Sequence, residues 1–114
     1  FNNFFMNKKI DILERLSALL IERKNYAEDN SYTNQLYNAG NVKILEKIKE
    51  EASELIEAGS IEKVIKKEIV HEAADLWFHT MVLLAFNEIN PLEILNELER
   101  REGVSGIEEK SRRS

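Results

Sequence analysis

Glu72-Ala73-Ala74-Asp75-Leu76-Trp77-Phe78-His79, continuing through Thr80 to Asn87, is the stretch on which the fold turns. Ile65, Ile69, Leu76 and Leu83 fall on one side of a single long helix that runs to about Asn87, and Ser60 stands where it can cap the segment. The second half of this helix is apolar nearly all round, which places it at the centre of a bundle or at a subunit interface, with Trp77 and Phe78 as core aromatics. The apolar run from Leu76 to Phe86 is broken by His79 and Thr80 and is far shorter than a bilayer span, so it predicts a buried core helix and no membrane partner.

The flanking segments have the same helical character. Upstream, Asn41 is a plausible N-cap, and Leu45, Ile48, Ala52 and Leu55 follow at heptad-like spacing until Gly59 stops the helix. Before it, Ile10, Leu13, Leu16 and Leu20 recur at steps of three and four, predicting a helix from Lys8 to about Lys24. The polar stretch Ala27 to Thr33 reads as a loop, followed by a short helix ending near Gly40. Downstream, Asn90-Pro91 is a start signal for a last helix reaching about Arg101, and Gly103 and Gly106 frame a polar tail. No strand alternation, repeat or low-complexity segment is evident. The expected fold is therefore all-α, a bundle of four to five helices completed by dimerisation. Residues 1–7 read as a leader or cloning remnant, 8–102 as the helical domain and 103–114 as the tail.

Composition narrows the chemistry. With 114 residues, 43% of them hydrophobic, the chain fits one domain with one core, and an apolar face left over by a few helices favours a homodimer or higher homo-oligomer. The absence of cysteine excludes disulfides, thiolate metal sites and cysteine nucleophiles, so any metal must use oxygen or histidine. A formal net charge of -5 argues against a nucleic-acid partner, whose phosphate backbone selects basic faces. It does not argue against a small nucleotide that arrives with divalent cations. No basic, apolar leader is present, so a cytoplasmic location is expected.

Glu51 and Glu54 share a helix face, and Glu50 sits one turn before Glu54; on the long helix Glu68, Glu72, Asp75 and His79 form one stripe. Antiparallel packing of the two helices would set these acidic stripes against each other. Converging carboxylates repel unless a cation joins them, and an all-oxygen set suits magnesium, which bridges protein carboxylates to phosphates and lowers the pKa of an attacking water. E-x-x-E spacings also arise on solvated helix faces, and a non-catalytic helical interaction module is the competing reading. Asp75, set among apolar residues, weighs against it. Lys43 and Lys47, one turn apart, can meet phosphate or serve as ordinary surface charge, and His79 can bind a ligand or simply be satisfied within the core.

Lys47-Ile48-Lys49-Glu50-Glu51-Ala52-Ser53-Glu54 together with Glu72 to His79 resembles the phosphoribosyl-ATP pyrophosphohydrolase family, within the all-α nucleoside triphosphate pyrophosphohydrolases. Ser31-Tyr32-Thr33 is similar to that family's loop between its first helices, and Ser105 to Lys110 to its C-terminal tail. Lys49 stands where many relatives have glycine, and Trp77-Phe78 replaces leucine and tyrosine. The resemblance implies magnesium-dependent hydrolysis of phosphoribosyl-ATP to phosphoribosyl-AMP and pyrophosphate, the second step of histidine biosynthesis. By the same resemblance Glu50, Glu51, Glu54, Glu72 and Asp75 match the metal carboxylates. Glu50 and Glu51 are the expected catalytic groups, and Glu50 is either a fifth ligand or the residue that orients the water. Ser31, Tyr32, Thr33, Lys43, Lys47 and His79 are the expected substrate contacts. A related enzyme acting on a plain or damaged nucleoside triphosphate is the alternative of the same superfamily.

Overall fold

The computed structural model describes residues 2–25 and 31–102, with side chains from residue 11 onward in the first segment. Five helices follow one another: α1 (Asn2–Asn25), α2 (Tyr32–Ala39), α3 (Asn41–Gly59), α4 (Lys66–Phe86) and α5 (Glu93–Arg101). Among the described residues there is no strand, so the all-α expectation holds. The tail from 103 onward and residues 27–30 of the expected loop lie outside the described residues.

α3 and α4 make the most extensive pairing and run antiparallel. Asn87 Nδ2, just past the end of α4, donates to Asn41 Oδ1 at the start of α3 (3.3 Å), while Gly59 at the far end of α3 lies against Ile69 near the start of α4. The interior is closed by Leu20 of α1, Leu36 of α2, Ile44 of α3 and Met81, Val82 and Ala85 of α4. α2 is tied to α1 by its tyrosine: Tyr37 Oη donates to the Leu20 carbonyl at 2.8 Å, and burial pushes the phenol up to about 12. Lys24 closes the far end, pairing with Glu88 at 2.6 Å and donating to the Phe86 carbonyl.

Several local expectations shift. α1 starts at Asn2, before the predicted Lys8. Tyr32 and Thr33, expected in the loop, open α2, because Ser31 Oγ accepts from the Asn34 amide (3.2 Å) and caps the helix there. The cap of α3 is Gly40 rather than Asn41, with φ of 95° and ψ of -178°, a conformation open essentially to glycine alone. Ser60 does not cap α4; its Oγ donates back to the Ile56 carbonyl at 2.6 Å, and α4 begins at Lys66. Asn90 does act as a turn former ahead of α5, its Oδ1 accepting from the Leu92 amide at 2.9 Å.

The core register also differs. On α3 the buried apolar residue is Ile44, while Leu45 is half exposed. On α4, Trp77 is 64% exposed rather than a core aromatic. By length and composition the 21-residue α4 is long and apolar enough to cross a bilayer, contrary to the expectation from its shorter apolar run. His71, Glu72, Asp75 and His79 interrupt it, however, and it packs on α3 and α1 as the middle helix of the bundle.

Candidate metal centre

Where α3 meets α4, the antiparallel register brings three carboxylates together. Carboxylate oxygens of Glu51, Glu54 and Glu72 lie within 4.8 Å of one another. Glu51 is only 6% exposed, on the inner face of α3, whereas Glu54 and Glu72 are half buried. Glu54 is the link, its carboxylate close enough to both Glu51 and Glu72 to favour the proton-bearing form of each.

The electrostatics follow from that crowding. Burial, then the bond to Glu54 and the charges of Glu54 and Asp75, push the Glu51 carboxyl up to about 7, against the opposing pull of Lys47. Burial and the bond to Glu54 raise Glu72 as well, with His71 opposing. Glu51 Oε2 and Glu72 Oε2 are buried with no hydrogen-bond partner among the described residues. A buried carboxylate oxygen left without a donor is costly, and a hard divalent cation bound to several oxygens removes the cost for the whole set. The donor set therefore fits magnesium.

Asp75 stands at the edge of this group. Its Oδ2 is 3.3 Å from Nε2 of His71, one turn earlier, and ligand atoms of His71, Glu72 and Asp75 also lie within 4.8 Å of one another. Glu72 thus belongs to both groups. His71 escaped the reading of the sequence, although its i,i+4 spacing to Asp75 was the available signal. Glu68, which the spacing placed in the same stripe, is an exposed residue of the first turn of α4 and joins neither group.

The remaining expected residues divide. Glu50 is exposed and turns to Lys47 (3.3 Å), outside both acidic groups. Lys47 lies between Glu50 and Glu51, 3.9 Å from the latter. Tyr32 overhangs the same side: the charges of Lys47, Glu51, Glu50 and Asp75 all act on its phenol, whose pKa is raised chiefly by burial. Its Oη meets His79 Nε2 at 2.8 Å, and His79 Nδ1 donates to the Asp75 carbonyl at 2.8 Å, a pairing that leaves Nε2 as the ring atom facing the tyrosine hydroxyl. His79 is buried, with both ring nitrogens engaged inside the protein. Ser31 is occupied as the α2 cap, Thr33 is buried at 4% exposure, and Lys43 pairs loosely with Glu46 at 3.8 Å.

Residues 13–102 match the model of a family described as phosphoribosyl-ATP pyrophosphohydrolase. The chain belongs to that family. Among curated relatives, a phosphoribosyl-ATP pyrophosphatase of Geobacter metallireducens is 49% identical over 95% of this chain and 97% of its own length. One from Ruthia magnifica subsp. Calyptogena magnifica is 48% identical over 91% of this chain and 97% of its own. A third, from Geobacter sulfurreducens, is 46% identical over 96% and 99%. The acidic residues of both helices, the Ser31 cap, Lys47 and His79 all fall within the family match.

Proposed function

We propose that this phosphoribosyl-ATP pyrophosphohydrolase family member hydrolyses phosphoribosyl-ATP to phosphoribosyl-AMP and pyrophosphate, the second step of histidine biosynthesis, using magnesium held by Glu51, Glu54, Glu72 and Asp75. The observation that carries the magnesium site is the convergence of Glu51, Glu54 and Glu72 with two buried, partnerless oxygens. The substrate comes from family membership and from relatives whose names carry it.

Glu51, Glu54, Glu72 and Asp75 would hold the magnesium, whose chemistry would be to offset the negative charge that develops on the departing pyrophosphate. The chain's own residues do the rest. Glu51, Glu54 and Glu72 hold their oxygens in a fixed register because two packed helices carry them. Glu50, exposed at the surface and paired with Lys47, would orient the attacking water and accept its proton. Lys47, paired with Glu50 at 3.3 Å and 3.9 Å from Glu51, stands at the rim of the acidic group, where its ammonium would meet the triphosphate. Tyr32, held in place by His79, and Lys43 would contact the substrate, while the capping Ser31 and the buried Thr33 fix the start of α2 behind them rather than reaching it directly.

A second copy of the chain completes the molecule, covering apolar side chains such as Val70, Trp77 and Leu98, each more than half exposed in the single chain. The enzyme works in the cytoplasm. A substrate panel tests the assignment: phosphoribosyl-ATP should be turned over in clear preference to ATP and other nucleoside triphosphates, with phosphoribosyl-AMP as the nucleotide product. Preference for a plain triphosphate would overturn it.

A further inference from the structure

His71, Glu72 and Asp75 form a donor set distinct in chemistry from the carboxylates beside it. His71 and Asp75 are one helical turn apart on α4, with Nε2 and Oδ2 already 3.3 Å from each other, and Glu72 supplies the third atom within 4.8 Å. Two donors at i and i+4 with a glutamate between them is a spacing by which a helix presents ligands to one ion. The second observation lies in the adjoining group: Glu51, 6% exposed, has its Oε2 buried and partnerless, and the Glu72 Oε2 that belongs to both groups is equally without a donor. The imidazole of His71 is largely exposed, so its ring can turn from Asp75 toward an ion without unpacking the core.

We infer that His71 is a metal ligand of this centre, and that it raises the site's affinity for borderline transition ions such as Co2+ or Zn2+ above what the carboxylates alone provide. The physical ground is ligand softness. Oxygen-only sets suit magnesium, whereas an imidazole nitrogen adds far more to the binding of a later first-row ion than to that of magnesium. Replacing the nitrogen should therefore change the ratio of affinities rather than all of them together.

The inference rests on the carboxylate centre proposed above, and direct binding separates the two. Isothermal calorimetry of the full chain with Co2+ and with Mg2+ is compared between wild type and His71→Gln, whose folding is checked by its melting curve. The expected result is a loss of about tenfold or more in Co2+ affinity, with Mg2+ affinity held within about twofold. In the wild type, Zn2+ should shift the nitrogen resonances of the His71 ring. Loss of both affinities in equal proportion, no change in either, or an unmoved His71 ring would overturn this inference and leave the carboxylate centre standing. Failure of the wild type to bind any of the three ions would overturn both.

Discussion

Glu51 concentrates the conflict at the centre of this site. Its folded-state carboxyl titrates at about 7 against an ordinary 4.5, so the folded chain holds a proton that the unfolded chain has already released. The sign follows from linkage: in the absence of metal, the contribution of Glu51 to stability is full below about pH 4.5 and is lost as the pH rises through about 7, whereas Glu97, held down to about 2 by Arg100 and Arg101, acts in the opposite sense only at lower pH. Thermal melts in chelator should show that decline, and magnesium should raise the melting temperature more at pH 8 than at pH 5. Glu51→Gln removes the buried charge, so at pH 8 without metal it should melt higher than wild type, by about 5 °C if it recovers roughly 1 kcal/mol in a domain of this size. The same variant should lose more activity than the roughly 10–100-fold typical of changing an outer partner of a metal ligand. A variant that melts lower in chelator, or keeps wild-type turnover, contradicts this account of Glu51.

The elements matter because the site is a matter of register between α3 and α4, and that register depends on how α2 enters α3. Gly40 makes the junction, with φ of 95° and no atom within 4 Å of an added Cβ. Gly40→Ala should therefore cost about 1–3 kcal/mol through backbone strain alone, with no steric clash, as urea denaturation would measure. A neutral substitution would mean that the junction does not hold this conformation. Element type and order were legible in the sequence, since periodic apolar residues and the Asn90-Pro91 signal mark the helices plainly. Phase was less so. Spacing alone cannot choose between Ile44 and Leu45 on α3, and the face that won carries Glu51, which a count of apolar residues assigns to solvent. On α4 a run that is apolar all round has no phase to read, so nothing in it tells that Trp77 faces outward while the buried face is His79, Met81, Val82 and Ala85. The acidic pairs were legible as a constellation. His71 shares the face of Asp75 by the same i,i+4 spacing, but a stripe traced through Glu68, Glu72, Asp75 and His79 does not extend to it.

At the scale of the whole molecule, the single chain leaves much apolar surface uncovered. Beside Trp77, an apolar cleft of about 430 Å³ opens between α1, α4 and α5, lined by Leu13, Leu76, Met81, Leu95 and Leu98. Sedimentation at micromolar concentration should give at least twice the 13.3 kDa chain mass, and Trp77→Glu should shift the population toward monomer. A wild-type monomer would contradict the dimer. The catalytic claim itself is tested most directly by pyrophosphate release from phosphoribosyl-ATP after chelation, followed as Mg2+ is returned, for wild type and Asp75→Asn side by side. The account predicts no release in chelator, saturable recovery with Mg2+ for the wild type, and little or none for the variant despite an unchanged fold. Release that is indifferent to Mg2+, or equal in the two proteins, would contradict it.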